Sequence, residues 1–303
     1  MLRTIVPVTV TEALLVSTNV PEDDGPEWDA GTTYNIGDRV ILGALHKVYE
    51  SAVASNSGAD PSTTPANWLE VGATNGRRAF DRRLSAPTAK AGDIQFVVQP
   101  DTLVRAVGVV GAKAASATVR VKNTSGDTLV ERTQTLADYS EMIDALTMVL
   151  TPPDTREFAI FEDIICQPGN QIEIVIGDGS GQAEVSEVVL GDVVQIGDAL
   201  FDTETGVEDF SDFNEDQFGN VDIVERGYRD IIDFPVSVKT ADAGRIKKRL
   251  TAIRAKFAIF YFTATGNDYG TTVYGRYERL STILSGPTIS DMNLKILGAT
   301  YGA

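Results

Sequence analysis

From Ile94 to Leu200 the chain is a succession of short runs rich in β-branched residues, each closed by a turn sequence. The runs are "IQFVVQ", "TLVRAVGVVGA", "ATVRVKN", "EFAIFEDIIC", "QIEIVIGDG" and "EVSEVVLGDVVQIG". The turns between them are "NTSGD", "TPPD", "QPGN" and "GDGSG". Short strands at this spacing predict a β-sandwich or jelly roll. "GDGSG" (Gly177 to Gly181) lacks the lysine and the following helix of a phosphate-binding loop, and it reads as a hairpin turn. "LADYSEMIDAL" (Leu136 to Leu146) reads as a short helix between strands.

The flanks carry different patterns. Leu2 to Val20 reads as one or two strands. "PEDDGPE" (Pro21 to Glu27) has the prolines, glycine and acids of a linker, and "ATNGRRAFDRRLSAPTAKAGD" (Ala73 to Asp93) reads as a return linker. Phe201 to Glu225 holds nine acids and no basic residue. After the strand "DIIDFPVSV", the residues Ala243, Ile246, Leu250, Ile253 and Phe257 recur at helical spacing and predict one apolar stripe. Thr240 or Asp242 is the expected cap. "FAIFYFTATG", "TTVYGRYERLSTIL" and "ISDMNLKILGATY" read as closing strands. The expected fold class is therefore mainly β. A small three-stranded module is inserted in a sandwich or jelly-roll-like body, with a C-terminal α+β segment containing one helix. The expected divisions are 1–23, 24–73, 74–200 and 201–303.

Composition narrows the function classes. A net charge of −17 repels phosphate backbones and argues against a nucleic-acid partner. No apolar run approaches the roughly 20 residues that span a bilayer, so no membrane insertion is expected. The N-terminus lacks the unbroken apolar stretch of a signal peptide, so a soluble chain made without export is expected. The single cysteine, Cys166, excludes an internal disulfide framework and a multi-cysteine zinc site. It reads as a small core residue. The one histidine, His46, lies in an alternating stretch with no nucleophile elbow and reads as a surface or turn histidine. Asp212, Asn214 and Asp216 match the start of an EF-hand loop, but Gln217 and Ile223 stand where it needs glycine and glutamate. No metal, cofactor or enzymatic activity is expected. The basic helix face (Arg245, Lys247, Lys248, Arg249, Arg254, Lys256) and the acidic stretch can satisfy each other within a subunit or across a boundary.

Both tryptophans of the chain, Trp28 and Trp68, fall in one stretch of about 45 residues. A unit that small gains most from large rings, so Trp28, Tyr34, Tyr49 and Trp68 suit a miniature core. Flat aromatic faces also stack on sugar rings, which makes the same four the candidate carbohydrate-binding residues. The segment "EWDAGTTYNIGDRV…HKVYES…DPSTTPANWLEVG" resembles the small chitin- and cellulose-binding modules (carbohydrate-binding module family 5/12) found on chitinases and in phage tail proteins. The matching positions are Trp28, Tyr34, Gly37, Asp38, Val40, Tyr49, Pro65 and Trp68. The resemblance implies a twisted three-stranded unit whose "NIGD" turn uses positive φ at Gly37. Ala59 stands where the family often has an exposed tryptophan. Losing such a ring removes about 1 kcal/mol of stacking from a sugar site.

The C-terminal third is similar in layout to the closing part of tail-tip proteins of long-tailed bacteriophages. Together these resemblances imply a structural virion protein of a tail tip or baseplate, of the distal-tail type. It would be made in the host cytoplasm and built into the virion as a homo-oligomeric ring. Its partners would be tail tube, hub and fibre proteins, with the module offered to a host-surface polysaccharide. In that reading Trp68 belongs to the module core, whereas Trp28 and Tyr34 are exposed. The alternative is a free polysaccharide-binding protein.

Overall fold

The computed structural model describes residues 1–138, 144, 154–177, 181–215, 217–262 and 270–302. The protein is mainly β, with sheets layered as a sandwich and one C-terminal helix. The expected helix at 136–146 begins instead as a two-residue strand, Ala137–Asp138, paired with Asp154–Thr155. The rest of that expectation, apart from residue 144, lies outside the described residues, as do positions 178–180 of the "GDGSG" turn.

One 13-residue strand, Glu187–Ala199, organises the body. Its first half pairs with Ala106–Val110, from Val110↔Glu187 to Ala106↔Gly191. Its second half pairs on the other edge with Leu2–Pro7, from Pro7↔Gly191 to Leu2↔Gly197. Gly191 is the residue shared by both partners. A Cβ there would stand 1.9 Å from the carbonyl oxygen of Val6, so the close approach needs glycine.

The first half belongs to a sandwich. Its facing sheet runs Thr128–Thr135, Ser116–Lys122, Gln171–Ile176, Ile94–Val98 and Leu15–Thr18. Alternate residues point inward, as strand geometry requires: Ile94, Phe96 and Val98 meet Ile172, Ile174 and Ile176, with Val107, Val109, Val188 and Leu190 opposite. Cys166 lies in this core, and burial pushes its thiol up to about 11. On the outer face, the Glu173 carboxylate meets Lys122 at 2.9 Å and Arg120 at 3.2 Å.

The second half belongs to a closed barrel. Pairings run from the long strand through Leu2–Pro7, Ala258–Phe262, Val273–Ile283, Ile289–Gly298 and Tyr228–Lys239. They return to the long strand at Ala199↔Val236 and Asp198↔Ser237. The helix Thr240–Ala252 adds Ala243, Ile246 and Leu250, and Ile253 after it, to the cluster of Leu2, Phe234, Val236, Phe260, Leu294 and Ile296. This is the stripe the spacing predicts, except that Phe257 packs elsewhere, against Tyr274. Neither expected cap forms. The N-cap is Lys239, without a side-chain cap. The Thr240 hydroxyl donates to the Gly286 carbonyl at 2.8 Å, which ties the helix start to a loop.

Two predictions concern the long strand. Gly191→Ala should destabilise the protein by about 3 kcal/mol or more. Gly206→Ala, on a strand with open space around it, should stay within about 0.5 kcal/mol. Urea denaturation of both variants checks this. Glu187, 5% exposed, accepts the Arg82 backbone N–H at 2.8 Å, and burial holds its carboxyl well above the usual range. Its contribution is therefore fully present below the unfolded carboxyl range and is lost as pH rises towards the folded one. Glu187→Gln should flatten the fall in melting temperature between mildly acidic and neutral pH.

Candidate functional site

The module at 24–73 is built around a turn and a ring pair. The Asn35–Asp38 turn closes because the Asp38 carboxylate accepts the Asn35 backbone N–H at 2.7 Å, and Gly37 takes φ +88°. This is the left-handed conformation expected of "NIGD". The turn feeds Arg39–Leu42, which pairs with Lys47–Ser51, which in turn pairs with Trp68–Ala73. A second, two-residue pairing joins Thr33–Tyr34 to Asn56–Ser57.

Tyr34, Val40, Tyr49 and Trp68 are 7%, 0%, 5% and 2% exposed and form the module core, with Trp28 and Leu42 half-buried against it. The rings of Tyr34 and Trp68 meet edge to face at 5.2 Å between centroids, a geometry favoured by their quadrupoles. The Tyr34 hydroxyl accepts the Asp29 backbone N–H at 2.9 Å. The Trp68 indole N–H donates to the Ala59 carbonyl at 2.9 Å. Trp68 thus holds in place the loop that carries Ala59. Asp60, next in that loop, accepts from the Ser62 N–H and hydroxyl, which keep its carboxyl below the usual range.

The four candidate residues therefore come together, and their geometry separates them. Tyr34, Tyr49 and Trp68 are buried in the module core. The expectation of an exposed Tyr34 is corrected: its ring and hydroxyl are both engaged. Trp28 is half-buried, while its indole Nε1 is buried and has no hydrogen-bond partner among the described residues.

The two stretches read as linkers form a clasp instead. Asp24 accepts the Asn75 backbone N–H at 2.7 Å and pairs with Arg78. Glu12 pairs with Arg77 at 2.6 Å. His46 sits at a turn with φ +53°, its Nδ1 2.5 Å from Glu22 and its Nε2 3.2 Å from Glu12. Residues Asn75–Phe80 form a 3-10 helix, and Thr74 is fully buried. An open cleft of about 390 Å³ lies at this junction, lined in part by Glu12, His46, Lys47, Glu70, Arg77 and Phe80. Reading "PEDDGPE" and "NGRRAFDRR" separately missed the clasp. The signal was the opposite charge of the two stretches that bracket the module.

Among the described residues, no three His, Cys, Asp or Glu side chains gather as a metal site. Asp212 and Asn214 lie on the strand Asp212–Glu215, so their alternation follows the pleat of a strand. Asp216 lies outside the described residues.

No protein family and no curated protein matches the chain. Weak structural likenesses exist to carbohydrate-binding modules. A fucose-binding module of Streptococcus pneumoniae has 11% identity, covering 40% of this chain and 83% of that one, with a TM-score of 0.28. A chitosan-binding module from a chitosanase/glucanase of Paenibacillus sp. IK-5 has 17% identity, covering 39% of this chain and 84% of that one, with a TM-score of 0.27. An F5/8 type C domain from Bacteroides fragilis has 13% identity, covering 38% and 78%, with a TM-score of 0.25. At these TM-scores no functional argument rests on the likeness.

Trp68→Ala removes the central ring and the anchor of the Ala59 loop, and should cost about 3–5 kcal/mol. Because both tryptophans lie in the module, the emission of the remaining Trp28 should shift to the red while the far-ultraviolet β signal of the body persists. Unchanged emission and melting would show that the ring pair does not hold the module.

Proposed function

We propose that this chain is a structural subunit of a bacteriophage tail, at the tail tip or baseplate, acting by subunit contact and not by turnover. The tail assignment draws on the sequence resemblances of the module and of the C-terminal layout. The observation that carries the assembly reading is the surface at 200–228. Phe201, Val207, Phe213, Ile223 and Val224 are 102%, 64%, 63%, 62% and 51% exposed there. A free monomer rarely leaves so many large apolar side chains in water in one region. Copies of the chain would cover that surface by closing into a ring. Tail tube, hub and fibre proteins are the proposed neighbours, and the virion is the proposed location. The clasp at Asp24, His46, Arg77 and Arg78 then fixes the module to this ring, with Trp28 as its remaining candidate contact for a host-surface polysaccharide.

A second reading is a free polysaccharide-binding protein, favoured by the partial exposure of Trp28. Light scattering and negative-stain imaging of the purified chain separate the two. A closed ring of several copies supports the tail subunit. A strict monomer retained by insoluble chitin supports the second reading. Under either, Trp28→Ala should lower stability less than Trp68→Ala and should abolish retention on chitin. Undiminished retention would remove Trp28 as the sugar contact.

A further inference from the structure

The exposed surface at 200–228 has an internal geometry. Glu204–Asp209 pairs with the start of Tyr228–Lys239, from Glu204↔Asp233 to Asp209↔Tyr228. Beyond it, Asp212–Glu215 pairs with Val221–Val224 as a separate two-stranded sheet. The two sections make one long ribbon. Its outer section, past Asp209, reaches roughly 25 Å further at the rise of an antiparallel strand. Every residue of both outer strands is exposed. A two-stranded hairpin with nothing against it is marginally stable in water.

The register sorts the outer section into faces. Phe213 pairs with Ile223 and Glu215 with Val221, so alternation places Phe213, Ile223 and Val221 on one face, together with Glu215. Asp212, Asn214 and Asp222 take the other, with Val224. Two basic residues answer some of the acids: Arg226 pairs with Asp212, and Arg229 with Glu208 at 2.5 Å. Glu204, Glu215, Asp222 and Glu225 have no ion pair among the described residues. The ribbon therefore gathers three of the four apolar side chains of its outer strands on one face, beside Glu215, and is acidic in surplus.

The same chain carries the complementary surface elsewhere. The helix Thr240–Ala252 exposes Arg245, Lys247, Lys248 and Arg249. Arg245 pairs with Asp242 at 2.9 Å, whereas Lys247, Lys248 and Arg249 have no acidic partner among the described residues. Beside Arg245 and Arg249 is an open cleft of about 390 Å³, lined also by Arg3, Arg105, Glu162, Asp163 and Val193. Arg3 is neutralised by Glu162 and Arg105 by Asp192, so Asp163 is the acid of the lining that remains, against three helix cations, Lys247, Lys248 and Arg249. Among the described residues no ribbon acid pairs with a helix cation of its own chain.

We infer that the outer section of the ribbon docks on the cationic face of Thr240–Ala252 in a second copy of this chain. Its acids would meet Lys247, Lys248 and Arg249, and its apolar side chains would lie along the aliphatic stems of those cations. Two different surfaces meet in such a contact, so it runs head to tail, and successive copies close into a ring or extend into a filament. At a net charge of −17, two copies repel each other at a distance. A local acid–base match is what gives them one orientation in which to meet.

The inference rests on the assembly reading above, and its test separates the two. Sedimentation velocity is run on the full chain, on Lys247→Glu/Lys248→Glu/Arg249→Glu, on Glu215→Lys/Asp222→Lys, and on an equimolar mixture of the two variants. All substituted residues are exposed, so the melting temperature is expected to stay near that of the wild type. Each variant alone should associate with itself at least about tenfold more weakly. The mixture should associate again, because the reversed helix of one variant then faces the reversed ribbon of the other. Phe213→Ser/Ile223→Ser should weaken association without rescue by either partner. Wild-type assembly that is unchanged in both charge variants would overturn the docking and leave the ring reading standing. A wild type that remains monomeric at the highest concentrations would overturn docking on a second copy.

Discussion

The body depends on the approach of Leu2–Pro7 to the long strand at Gly191. At that residue the strand changes partners, from a sandwich neighbour on one edge to a barrel neighbour on the other. The change requires the Val6 carbonyl to lie where a Cβ would be. A single missing side chain thus allows two cores, with different curvature, to share one continuous backbone. The barrel closes further along the same strand, where Gly197 lies against the Ser237 carbonyl.

The module solves the opposite problem. It is too small to bury much aliphatic surface, so it concentrates aromatic area into four residues and a single edge-to-face contact. Its attachment is electrostatic. Acids on the entering stretch meet arginines on the leaving stretch, and His46 lies between Glu12 and Glu22. Individually, such half-exposed pairs are weak. Together with the buried Thr74 and Asn75 backbone, they define one orientation for the module.

Much of this was legible in the sequence where the signal is local. The β-branched runs, the helical stripe from Ala243 to Ile253, the positive φ at Gly37 and the aromatic core each follow from spacing within a few residues. What was not legible is non-local. Nothing in "VVLGDVVQIGDA" announces that its two halves serve different cores, because the partners lie at Ala106 and Leu2. The clasp pairs positions 22–24 with 46 and 78, and composition alone gave two linkers. For Tyr34 the spacing leaves both readings open, because a tyrosine there suits a core and a sugar platform equally. Only the Trp68 ring beside it decides. The acid alternation near Asp212 imitates a calcium loop because every second residue of a strand shares a face.

The position of Leu2–Pro7 also has a consequence in time. This strand precedes both of its barrel partners by a long stretch of chain, with Arg3↔Gln195 on one side and Arg3↔Tyr261 on the other. At ordinary elongation rates, tens of seconds separate the emergence of the strand from that of its second partner. The barrel cannot close during that interval, whereas the module at 24–73, whose contacts are nearly all local, can form at once. During synthesis Leu2–Pro7 therefore remains an unsatisfied edge until Ala258–Phe262 has been made.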